Sequence, residues 1–119
     1  MKKKFMVIIN HSTDDQDRAN LALGFVTAML VEEVDVAITM MFEGALLGKK
    51  GEAEKIVGRN MTPAREIFPL ILEHKVPIYV CAPCAKTMGV SEADLVEGAK
   101  IVTAPSVVAE LHDREVVSF

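Results

Sequence analysis

Short apolar runs alternate along this chain with longer segments that open on polar residues, a pattern that predicts strands and helices in turn. Residues 5–9 (Phe-Met-Val-Ile-Ile) form a continuous apolar run, which suits a parallel strand buried on both faces. Thr13 or Asp14 then offers a helix cap, and Asp14, Asp15 and Asp17 bring acidic charge to the positive end of that helix. The helix runs to about Glu32. Beyond Leu21 it is apolar nearly all round, which predicts cover on more than one side.

Residues 34–40 alternate into a second strand, whereas residues 42–61 hold four glycines and four basic residues and read as a loop with room for a short helix. Thr62-Pro63 marks a helix start with proline at the first helical position. Pro69 falls inside that helix, where proline costs about 3 kcal/mol, so the helix either kinks there or begins later. Residues 77–80 are a third strand that delivers Cys81. Ser91-Glu-Ala-Asp94 is a capping-box pattern with Gly98 as a stop. Residues 100–103 predict a fourth strand, 105–113 a last helix and 115–119 a fifth strand.

Strands alternating with helices imply right-handed crossovers and a parallel sheet covered on both faces, an α/β fold. With 119 residues there is room for a single domain, 1–119, around one core. In such sheets the site lies beyond the carboxyl ends of the strands. Three loops qualify: 10–15, 41–51 and 81–89.

Composition adds a constraint. Half of the residues are hydrophobic beside 25% charged, and the mean hydropathy is +0.28. A lone 13.0 kDa chain would leave some of that surface wet, which predicts a homo-oligomer. The net charge of −4 disfavours nucleic acid as a direct partner, since no basic face dominates. The longest apolar run, 21–31, is far short of the roughly 20 residues a membrane span needs, so no membrane role is expected. The Met1-Lys2-Lys3-Lys4 start is followed by too short an apolar run for a secretory signal, and the expected location is cytoplasmic. In a reducing compartment, two cysteines two residues apart are read as metal-binding or redox-active rather than as a staple.

Cys81-Ala82-Pro83-Cys84 therefore becomes the centre of the chemistry. The pair lies where the third strand ends and a helical turn begins, where free amide groups stabilise a thiolate. A thiolate accepts sulfur from a donor, attacks a peroxide or opens a disulfide. The plainer alternative is two buried thiols acting as small hydrophobes. Zinc is not expected, because no second Cys/His pair has the spacing to complete four ligands. His11 follows the first strand and is a candidate base or hydrogen-bond donor facing the thiols, against the commoner role of an exposed loop histidine. His74 and His112, near helix ends, are expected to engage terminal carbonyls. Residues 44–51 (Gly-Ala-Leu-Leu-Gly-Lys-Lys-Gly) approach a phosphate-binding loop but are one spacer short, with Lys50 where Ser or Thr would hold magnesium. No nucleotide, metal or other cofactor is expected. Lys49, Lys50, Lys55 and Arg59 either attract an anionic partner near the active edge or are simply solvated.

In four places the sequence resembles the DsrE/DsrF-like family. The opening strand passes through Ile9-Asn-His-Ser-Thr-Asp-Asp15 into an apolar helix. The second strand ends in Phe42-Glu43-Gly44-Ala45. The third enters Val80-Cys81-Ala-Pro-Cys84-Ala-Lys-Thr-Met-Gly89, and Ser91-Glu-Ala-Asp-Leu-Val-Glu-Gly98 follows. Residues 77–98 carry the most specific part of the likeness. The resemblance implies a three-layer α/β/α domain with a five-stranded parallel sheet, assembled as a homotrimer or hexamer. It implies a cysteine persulfide passed between sulfur donor and acceptor proteins, as in tRNA thiolation or sulfur oxidation. The relay cysteine would be Cys81 by its spacing to Gly89, or equally Cys84. An arginine common before that glycine is Met88 here, which removes an expected anion contact.

The leading expectation is a persulfide carrier. Cys81 or Cys84 would be the acceptor, the other thiol would resolve it, and His11 would assist. One cysteine should then have a pKa well below the free value of about 8.5. The rivals are a thiol-disulfide oxidoreductase or peroxiredoxin-like protein, which the proline before Cys84 favours, and a non-catalytic oligomeric binding subunit.

Overall fold

The computed structural model describes residues 2–119. Five strands form: Lys4–Ile9 (β1), Asp35–Met40 (β2), Ile78–Cys81 (β3), Ala99–Val102 (β4) and Glu115–Ser118 (β5). All neighbours run parallel, in the order β4-β3-β2-β1-β5. The helices are Gln16–Val31 (α1), Ala64–Glu73 (α2), Ala82–Met88 (α3) and Ala104–Leu111 (α4), with short 3₁₀ helices at Phe42–Gly48, Ala53–Lys55 and Glu92–Asp94.

The two faces of the sheet are read from strand alternation. Val7, Ile9, Ile38, Met40, Ile78 and Val80 point to one side, where Leu23 and Val26 of α1 and Phe68 and Ile71 of α2 close the main core. Fully burying a side chain of this size stabilises by about 1.5–3 kcal/mol. Met6, Ala37, Tyr79 and Val102 point to the other side and meet Val107 and Leu111 of α4. That second layer is thin: no residue of α4 is fully buried, and Val108 and Val116 are 52% and 46% exposed.

Two local expectations need correction. The cap of α1 is Asp15, whose carboxylate accepts from the Arg18 amide at 3.1 Å. Asp14 is instead occupied by the Ser12 amide at 2.7 Å. The capping box of Ser91 and Asp94 forms, but it opens only a three-residue 3₁₀ turn, because Leu95 and Val96 leave to pair with Lys49 and Gly48. As expected, α1 is covered on more than one side: it packs on β1 and β2 and against α2, and the Phe25 ring lies 4.9 Å from that of Phe119. Leu21, Phe25 and Val31 stay 40%, 44% and 79% exposed.

Pro69 lies inside α2, which begins at Ala64. The proline is exposed, on the opposite face from buried Ala64, Phe68 and Ile71, so the carbonyl it leaves unpaired is open to water. The helix keeps its place through that buried stripe, against its own propensity. Pro69→Ala is expected to raise unfolding stability by roughly 2 kcal/mol, less than the full helix-interior difference because proline also restricts the unfolded chain. A urea titration of both proteins checks it.

Candidate functional site

Cys81 is the last residue of β3 and pairs in register with Val102 of β4. Strand alternation puts it on the same side as Tyr79, toward α4. The chain turns there directly into α3, with Pro83 in its first turn, where the missing amide proton costs nothing. Three positions on, Cys84 packs with Met88 against the main core instead. Gly89 ends the helix in the left-handed region at φ 70°, and the Val90 amide donates back to the Ala85 carbonyl at 2.8 Å.

Both cysteines are free and half-buried, and Cys81 lies near enough to act on the Cys84 thiol. Burial pushes the Cys84 thiol above its ordinary pKa, and the neighbouring Cys81 pushes the same way. The Phe42 amide, which donates to the Cys84 sulfur, pulls it down but does not prevail. The low pKa expected of a cysteine at a helix start is therefore not found at Cys84. A helix of seven residues offers little dipole, and desolvation outweighs it. Replacing Cys81 with alanine is expected to move the midpoint of Cys84 alkylation to lower pH. Burial keeps that midpoint above the value of an exposed thiol. Alkylation rates read by peptide mass spectrometry across the pH range check this.

The amide over Cys84 is held by a turn that depends on one glycine. The Met41 amide donates to the Ile9 carbonyl at 2.9 Å, and the Gly44 amide to the Met41 carbonyl at 2.8 Å. A Cβ on Gly44 would stand 2.0 Å from the Ile9 carbonyl oxygen. Phe42 adopts φ 52° and is 60% exposed. A bulky residue in that region is strained, and the fold holds it there at the lip of the site. Gly44 and Gly48 are thus packing glycines, pressed on β1 and on Val80, rather than a phosphate cradle.

Each thiol opens on its own cavity. Cys84 lies in a recess of about 240 Å³ with Phe42, Glu43, Pro83, Thr87 and Met88. Cys81 lies in a more apolar one of about 170 Å³, with Thr39, Met41, Val102 and Val107 among its walls. Pro83 borders both.

His11 lines neither of these cavities. Its Nδ1 is 2.7 Å from the Asp14 carboxylate, at the end of β1, and β2 separates β1 from β3. The structure thus places His11 apart from the two cysteines it brings together. His74 meets the Leu70 carbonyl at 2.8 Å, as expected of a histidine closing a helix. Arg59 is bound to Asp17 at 2.7 Å and Lys55 to Glu52 at 3.1 Å, so these two cations are paired. Sequence reasoning did not single out Phe42 and Glu43 as site residues. Their place in the second-strand motif was visible, but the positive φ that aims the Phe42 amide was not. Among the described residues, no group of three or more His, Cys, Asp or Glu is placed to share a metal ion. Nor is any helix among them long and apolar enough to cross a membrane.

Comparison with known proteins agrees with this architecture. A model of the DsrE/DsrF-like family matches residues 3–119. The uncharacterised protein MK0008 of Methanopyrus kandleri is 32% identical over 95% of this chain and 90% of its own. The uncharacterised protein MJ0989 of Methanocaldococcus jannaschii is 32% identical over 98% of this chain and 99% of its own. The crystal structure of the ychN protein from E. coli superposes with a TM-score of 0.79 at 19% identity, covering 100% of both chains. MTH1491 from Methanobacterium thermoautotrophicum, a protein of unknown function, gives 0.71 at 15% identity over 99% of this chain and 100% of its own.

Proposed function

The chain belongs to the DsrE/DsrF-like family, and from that premise we propose that it is a persulfide carrier in a sulfur relay, loaded on the Cys81–Cys84 dithiol. The observation that supports this most is the pair of neighbouring, half-buried thiols at the carboxyl end of the sheet, each in the wall of a cavity. A donor persulfide R–S–SH attacked by one cysteine at its outer sulfur leaves R–SH and a protein persulfide. The exchange needs no external oxidant or reductant. On this reading the partners are a sulfur donor and a sulfur acceptor protein, in a compartment that keeps thiols reduced.

Pro83 between the two cysteines favours a second reading, a thiol-disulfide oxidoreductase that cycles a Cys81–Cys84 disulfide. Mass spectrometry after incubation with a persulfide donor separates the two. The carrier gains the mass of one sulfur atom, reversible by a reductant, and the Cys81→Ser, Cys84→Ser double variant gains none. Rapid turnover of a disulfide substrate with no stable persulfide would favour the oxidoreductase.

The same reading includes a homo-oligomer, a trimer or hexamer. The exposed Leu21, Phe25 and Val31 of α1 and the thin α4 layer support it. Sedimentation at micromolar concentration is expected to give a multiple of the 13.0 kDa chain; a monomer there would refute it.

A further inference from the structure

Resting on the carrier reading, we propose that sulfur enters on Cys81 from the α4 side and is handed within the molecule to Cys84, which offers it from the opposite side of the sheet edge. The two thiols are near enough for Cys81 to raise the Cys84 pKa, yet they line different cavities, both bordered by Pro83. A single-cysteine carrier must admit donor and acceptor through one opening in turn. Here each has its own.

The direction follows from the surroundings of each sulfur. Burial and the neighbouring Cys81 raise the pKa of the Cys84 thiol, which makes it a poor first nucleophile toward a donor. Cys81 lines the cavity walled by Met41, Val102 and Val107. At about 170 Å³ that cavity is close to the roughly 150 Å³ apolar cavity that admits benzene, so it suits the apolar group of an organic persulfide. In the hand-over, the Cys84 sulfur attacks the outer sulfur of the Cys81 persulfide. One S–S bond breaks as another forms, and the Cys84 proton passes to the departing Cys81 sulfur. Cys81–S–SH plus Cys84–SH becomes Cys81–SH plus Cys84–S–SH, with no net change of charge or oxidation state. A persulfide is a stronger acid than a thiol, and the Phe42 amide already donates to the sulfur that would carry it.

The test uses the full chain with benzyl persulfide as the probe donor, rapid alkylation and fragmentation between residues 81 and 84. Wild type is expected to carry its added sulfur on Cys84. Cys84→Ser should load on Cys81 within twofold of the wild-type rate, and Cys81→Ser should load at least tenfold more slowly. Ala104→Leu adds bulk at the Cys81 cavity and leaves both thiols in place. It too should slow loading about tenfold without altering Cys84 alkylation. Sulfur resting on Cys81 in wild type, Cys81→Ser loading at the wild-type rate, or unaltered loading of Ala104→Leu would each overturn the hand-over while leaving a carrier. A wild type that releases hydrosulfide and closes a Cys81–Cys84 disulfide would overturn the carrier and the hand-over together.

Discussion

Replacing Gly44 with alanine is expected to lower stability by about 3 kcal/mol and to push Cys84 toward higher pH in its reaction with alkylating agents. The added Cβ would lie 2.0 Å from the Ile9 carbonyl oxygen and 2.8 Å from its carbon. That obstacle is backbone in the central part of the sheet, so no rotamer change relieves it, and the 3₁₀ turn at Phe42–Gly48 must move away. The turn carries the Phe42 amide, the one backbone donor from outside α3 that acts on the Cys84 sulfur. When the amide withdraws, burial and the Cys81 contact are left less opposed, and both raise the thiol's pKa. A loss of this size still leaves a typical domain folded, so both readings come from one sample. Gly24→Ala is the control. Nothing lies within 4 Å of its Cβ position in α1, and the exchange should gain up to about 1 kcal/mol. A Gly44→Ala protein with an unchanged denaturation midpoint would show that the turn is not pressed on β1 as described.

Much of the fold is visible in the sequence because strand and helix periods differ and parallel strands, buried on both faces, are written as short apolar runs. The five-stranded parallel sheet and its α/β class were expected and found. Expectation failed where long-range contacts override local signals. The capping box at Ser91 and Asp94 is a correct local reading, but the Lys49–Leu95 bridge pulls the following residues out of helical geometry. A similar limit applies to the site. The two cysteines are close in sequence, so their proximity was legible. The distance of His11 from them depends on β2 being inserted between β1 and β3, which no local pattern encodes. His11 also has a local partner three residues on, Asp14, and that contact was readable.

The turn over Cys84 illustrates why site residues escape such readings. Phe42 was legible as part of a motif, but its contribution is a backbone amide, independent of side-chain type, aimed by a positive φ. Only the collision at Gly44 connects it to residue type. That glycine permits the approach to Ile9, the approach sets the turn, and the turn places the amide.

Arg114→Met is expected to cost about 2–4 kcal/mol and to loosen α4, which walls the Cys81 cavity. The guanidinium side chain is only 8% exposed. Its terminal nitrogen donates to the Phe5 carbonyl at 3.1 Å, the Asp35 carbonyl at 3.0 Å and the Asp35 carboxylate at 3.2 Å, joining the chain after α4 to the starts of β1 and β2. Methionine keeps much of the volume but removes the donor from all three oxygens, and unpaired buried acceptors are costly. The figure is held below that of a fully buried ion pair because the Asp35 and Glu110 side chains are 40% and 37% exposed. Arg114→Lys should recover only part of the loss, since a point charge cannot reproduce the fork. The single tyrosine supplies an independent reading. Tyr79 donates to the Glu110 carboxylate, and burial together with that bond raises its pKa to about 12. The phenol is therefore protonated in the folded protein beyond its unfolded value of about 10. Its stabilising effect is complete below about pH 10 and is lost as pH rises toward 12. Arg114 opposes that rise as a nearby cation. In Arg114→Met the phenolate absorbance should therefore appear at still higher pH for as long as the protein remains folded. A denaturation midpoint unchanged by the substitution would show that Arg114 does not hold α4 against the sheet, and an unchanged tyrosine titration would show that its charge does not reach Tyr79.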